Sequence, residues 1–179
     1  AGIRVLVRSR GLGDVDKRQE AIPVAWHVAD ALDGAHRRGI VHRDVKPSNI
    51  VLGARGASAP VKLLDFGIAH LRASAQKLTS TGAVPGTPGY MAPEQARGEA
   101  LDHRADLFAA GIVLWELLAG RRFLRAESDA GAMPKLLYAP LRSLLEVRPS
   151  LAPLVAAVVQ RAPKRDTGRR APRRAPSRA

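Results

Sequence analysis

The chain of 179 residues contains no cysteine. That excludes a disulfide framework and any thiolate metal site, and it fits a reducing interior. Aromatic residues make up only 4%, too few for the platform of stacked rings on which single-stranded nucleic acids lie. Long apolar runs are missing as well. The longest, residues 107–120, is broken by Glu116, and ~18 uninterrupted apolar residues are needed to argue a membrane span. No signal-peptide pattern and no internal repeat is read from the sequence. A glycine-rich phosphate cradle is also wanting, since Gly11-Leu12-Gly13 is followed by Asp14 with no third glycine in place. What is present is 46% apolar residues, enough for a core. The length suits one domain, on a prior of roughly 100–200 residues per domain.

The net charge of +13 suggests nucleic-acid binding until it is located. Residues 161–179 hold eight Lys/Arg and one Asp, so they contribute +7 and leave +6 for the preceding 160 residues. Residues 171–179 are rich in Pro, Ala and Arg and are expected to form a basic disordered tail. No nucleic-acid partner is expected, because a charge run of this kind is usually a solvated tail.

Three short motifs follow one another in a fixed order. They are His42-Arg43-Asp44-Val45-Lys46-Pro47-Ser48-Asn49, then Asp65-Phe66-Gly67, then Ala92-Pro93-Glu94. Singly, the first reads as solvated loop charges and the second as a turn. Together they resemble the catalytic loop, the metal-binding loop and the end of the activation segment of protein kinases. The run Gly86-Thr87-Pro88-Gly89-Tyr90-Met91 ahead of Ala92 resembles the substrate-docking segment of serine/threonine kinases. The flanking sequence is similar to bacterial members of the eukaryotic-type serine/threonine kinase family. The resemblance covers residues 21–170.

The resemblance implies a role for each polar residue. Phosphoryl transfer from ATP to a hydroxyl is mostly positioning and charge neutralisation. Asp44 would face the incoming hydroxyl and accept its proton. Lys46 would offset charge on the transferring phosphoryl oxygens, and it argues for serine or threonine as acceptor. Magnesium takes oxygen ligands, here the Asn49 amide and the Asp65 carboxylate. Lys46, Asn49, Val51 and Asp65 would together hold the nucleotide, with Val51 as an apolar floor for adenine. Thr87 would bond to Asp44 and Lys46 and so tie the substrate-docking segment to the catalytic loop. Asp106 would hold the catalytic-loop backbone from the start of a buried helix. Arg170 would pair with Glu94, with Arg169 as the alternative, since Thr167 stands where proline is common. ATP and Mg2+ are the implied cofactors, and proteins bearing Ser or Thr the implied partners. A second kinase chain is a further partner, phosphorylating Thr79 or Thr81 so that Arg43 grips the phosphate.

The implied fold is mainly α: a kinase-like C-terminal helical lobe with a small β-hairpin carrying the catalytic and metal-binding loops. Residues 1–20 form a poorly defined segment, 21–170 the lobe and 171–179 the tail. The apolar runs at 50–52 and 61–64 read as two antiparallel strands. Residues 3–7 alternate like a strand but have nothing obvious to pair with. Pro23 suits the first turn of a helix whose face is Val24, Val28, Ala31, Leu32 and Ala35, ending near Gly39. Residues 103–120 form a long buried helix stopped by Gly120, and 128–138 and 150–162 form further helices.

Only 43 residues precede Asp44, and Lys17 and Glu20 are the sole lysine and glutamate among them. Three positions apart, they suit a solvated helix pair and not a strand lysine meeting a distant helix. The expectation is a lobe lacking the small N-terminal lobe, transferring little phosphate by itself. The alternative is an inactive fragment that serves as a docking or regulatory module. The expected location is the cytoplasm, or the cytoplasmic face of a membrane if the tail is a juxtamembrane stub.

Overall fold

A computed structural model describes residues 4–5, 16–52, 61–66, 87–124, 129–138 and 143–161. Strand β1 is Arg4–Val5, helix α1 Asp16–His36, β2 Ile50–Leu52 and β3 Val61–Leu63. Then come α2 Pro93–Ala96, α3 His103–Ala119, α4 Asp129–Tyr138, α5 Leu144–Val147 and α6 Pro153–Arg161. A single 3-10 turn, Pro47–Asn49, leads into β2. Among the described residues no helix is long and apolar enough to cross a membrane.

The hairpin forms as expected: Ile50 faces Leu63, Val51 faces Lys62 and Leu52 faces Val61 in antiparallel register. Ile50 and Val51 point to opposite faces of the ribbon and both are buried, so β2 is covered on both sides. Residues 3–7 differ from expectation. Arg4 and Val5 pair with Leu52 and Val51, so β1 is the third strand, beside β2. A strand of two residues carries too little pattern for its partner to be read from the sequence.

Helix α1 also departs from expectation, beginning at Asp16 with Pro23 inside it. Pro23 has no N–H to bond back by four residues and crowds that turn. The cost is outweighed by the apolar face Ala21, Val24, Val28 and Leu32, all buried at helical spacing. The good helix formers upstream, Lys17, Arg18, Gln19 and Glu20, then carry the helix back to Asp16. It ends at His36, and Gly39, with φ of 75°, completes the following turn.

Helix α3 is the central pillar. Asp102 caps it by accepting from the Arg104 N–H at 2.8 Å, and Gly120 closes it at φ 66°. Phe108, Ile112, Trp115 and Leu118 are buried. Trp115 meets the Phe123 ring edge-on at 5.1 Å between centroids, a favoured aromatic geometry. A helix apolar on nearly every side must be enclosed, and α1, α5 and α6 pack against this one. The last two expected helices are found at 129–138 and 153–161. The tail at 171–179 lies outside the described residues.

Candidate active site

The site is built where residues 40–49 pass between α1, α3 and the hairpin. Asp106, fully buried in the first turn of α3, organises this stretch. Its Oδ2 accepts from the His42 backbone N–H at 2.8 Å, and Oδ1 accepts from the Arg43 N–H at 2.8 Å. The His36 ring Nε2 lies 2.7 Å from the same Oδ2. A buried carboxylate needs such partners, because removal from water is costly unless its oxygens are satisfied. His42 is itself buried, with Nε2 2.9 Å from the Leu64 carbonyl and its ring 4.6 Å from the Phe66 ring. The loop is thus tied to α3 on one side and to the end of β3 on the other.

Arg43 turns the chain sharply, at φ 68°, an unusual conformation for a residue with a Cβ. Gln95 steadies it by donating from Nε2 to the Arg43 carbonyl at 2.8 Å. Beyond the turn stand the polar residues. The Lys46 ammonium lies 2.6 Å from Asp44 Oδ2 and donates to the Thr87 hydroxyl at 3.0 Å. The Thr87 hydroxyl in turn lies 3.4 Å from Asp44 Oδ1. Asn49 Nδ2 donates to the Asp44 carbonyl at 2.9 Å and reaches its Oδ2 at 3.3 Å. Asp44, Lys46, Asn49 and Thr87 therefore form one cluster, the last reaching it from 38 positions beyond Asn49. The Asp44 side chain keeps 22% of its surface open, so a hydroxyl has a way in.

Asp65 stands at the hairpin end of this cluster. The Leu64 N–H donates to the Asn49 carbonyl at 2.8 Å, which sets Asp65 one residue from the position facing Asn49. Asp65 is exposed and bends the chain at φ 57°. The Asn49 amide uses its NH2 group on Asp44, which leaves its carbonyl oxygen as an acceptor. An amide oxygen and a carboxylate are the donors a hard divalent cation takes. Among the described residues no group of three or more His, Cys, Asp or Glu forms a cation cage. A cation here would complete its shell with nucleotide phosphates and water, as magnesium commonly does. Val51, two residues after Asn49, is buried in β2.

Several residues of the site are not singled out by the sequence motifs. His36 continues the series Val24, Val28, Leu32 at four-residue steps, so a histidine on a buried stripe is the available signal. Glu116 is the lone charge in an apolar run, and its oxygens accept from the Tyr90 hydroxyl at 2.7 Å and the Phe123 N–H at 3.0 Å. Gln95 carries no signal. Glu94 is buried, while Arg169 and Arg170 lie outside the described residues, as do Gly67, Thr79 and Thr81.

A family model described as the protein kinase domain matches residues 10–167. The chain is 44% identical over 142 residues to the serine/threonine-protein kinase Pkn1 of Myxococcus xanthus, covering 79% of this chain and 20% of the relative. It is 53% identical over 122 residues to a probable serine/threonine-protein kinase PknB of Bifidobacterium longum, covering 64% of this chain and 17% of the relative. The chain thus spans about a fifth of the length of these curated relatives. Among solved structures, the PknI kinase domain of Mycobacterium tuberculosis superposes with a TM-score of 0.62 at 29% identity, covering 90% of this chain and 52% of that one. The catalytic-loop cluster and the family match along residues 10–167 agree: the chain belongs to the protein kinase domain family.

Proposed function

We propose that this chain is the acceptor-side part of a serine/threonine protein kinase, transferring the γ-phosphoryl group of ATP to Ser and Thr hydroxyls of proteins. The observation that carries this reading is the Lys46 ammonium bridging the Asp44 carboxylate and the Thr87 hydroxyl. Asp44 receives the proton of the attacking hydroxyl while the bond from the γ-phosphorus to its bridging oxygen breaks and ADP departs. Lys46 holds the carboxylate in place and offsets negative charge nearby. Thr87 fixes the acceptor segment against the loop, so that the hydroxyl arrives oriented, and orientation can be worth roughly 7–11 kcal/mol of barrier. Asn49 and Asp65 would hold magnesium, which neutralises phosphate charge when bound; Val51 would form the floor under adenine.

A domain that consumes ATP belongs in the cytoplasm or at the cytoplasmic face of a membrane. A second kinase chain would phosphorylate Thr79 or Thr81. Arg43, which pairs with no carboxylate among the described residues, would receive that phosphate. The test is transfer of labelled phosphate from magnesium ATP to a Ser/Thr protein, by the natural protein and by its Asp44→Asn variant. Weak transfer that the substitution abolishes, with the melting temperature unchanged, is expected. Transfer that survives it would remove Asp44 from the reaction, and nucleotide binding without any transfer would favour a docking or regulatory module.

A further inference from the structure

Arg122 follows the end of α3 and places its guanidinium 5.9 Å from the centroid of the Tyr90 ring. That ring is buried and held by the bond from its hydroxyl to Glu116. Stacking on an aromatic uses the face of a guanidinium and leaves the in-plane N–H groups available. The one carboxylate in this group, Glu116, has an oxygen on the Tyr90 hydroxyl and the other on the Phe123 N–H. Among the described residues Arg122 pairs with no carboxylate. The result is a half-buried cation, set against a ring and with no counter-ion among the described residues.

Its position gives that charge a use. Tyr90 and Thr87 belong to one turn, closed by the Tyr90 N–H on the Thr87 carbonyl at 2.9 Å, so their Cα atoms lie within about 7 Å. Thr87 touches Asp44 and Lys46. An extended polypeptide advances about 3.3 Å per residue, so a chain presenting its hydroxyl to Asp44 would come within reach of Arg122 a few residues away along this segment. We propose that Arg122 is a specificity-determining residue that selects an anionic side chain, carboxylate or phosphate, at that separation on the acceptor polypeptide. This rests on the phosphotransfer reading above.

The experiment measures fluorescence anisotropy of labelled peptides on the natural protein. The acceptor serine is replaced by alanine, and a single Asp, phosphoserine or Lys is scanned through four positions on either side. Asp or phosphoserine at one position should tighten binding about three- to tenfold, less so at high salt. Arg122→Ala should erase the preference and Arg122→Glu should shift it to Lys, an inversion no misfolded variant would produce. A gain from Asp identifies carboxylate recognition, and a gain from phosphoserine alone identifies acceptors already phosphorylated nearby. Failure of every peptide to bind, no positional preference, or a preference that survives Arg122→Ala would overturn the proposal. Phosphate transfer to matched serine peptides separates the two readings. Preference without transfer defeats the catalytic reading, and transfer without preference defeats the role of Arg122.

Discussion

Asp106 is fully buried, and its two oxygens serve two backbone N–H groups and the His36 ring. Replacing it by alanine strands both N–H groups in the interior, at about 1–3 kcal/mol each. Asp106→Ala should therefore lower unfolding free energy by about 3–5 kcal/mol, measured by urea denaturation. Asp106→Asn keeps the shape and one acceptor, so its loss should be smaller. Thr87 calls for a different expectation, because its hydroxyl joins two loops at the site and not the core. Thr87→Val should leave stability within about 0.5 kcal/mol yet depress phosphate transfer. Thr87→Ser, which retains the hydroxyl, should recover most of it. Equal transfer by both variants would separate Thr87 from the reaction.

At the scale of elements, the end of α3 offers a clean test of backbone conformation. Gly120 sits at φ 66°, and a Cβ there would meet Arg148 Nη2 at 3.5 Å, an ordinary contact. Gly120→Ala should therefore cost about 1–2 kcal/mol from the left-handed conformation alone, and Gly120→Asn less, as read from thermal unfolding. Helix α3 is legible in the sequence because a long apolar run, residues 107–120, ends at Gly120, a natural stop. The hairpin is legible as two β-rich runs. Helices α2 and α5 are not, since four residues carry no periodicity. The start of α1 is obscured by Pro23, which suits a first turn and yet lies inside the helix. Within the site, Asp44, Lys46 and Asn49 share one short loop, so their spacing marks them. His36 and Gln95 act across 70 and 52 positions of chain, a distance that local pattern does not span.

Over the whole molecule the two tryptophans occupy opposite environments. Trp115 is 0% exposed and Trp26, on the outer side of α1, is 72% exposed. Trp26→Gln should leave stability within about 0.5 kcal/mol and remove the emission that iodide quenches. The remaining Trp115 should emit to the blue, resist quenching and shift red on unfolding. Iodide-accessible emission from the Trp26→Gln protein would contradict the packing of α3. The attachment of the loop to α3 also has a consequence for synthesis. Asp106 lies 64 residues after His42, and ribosomes add roughly 5–20 residues per second. For about 3 to 13 s the nascent loop exists without the carboxylate that shapes it. The residues proposed to handle phosphate are thus made early and assembled late, and a chain interrupted before Asp106 carries the motif without its geometry.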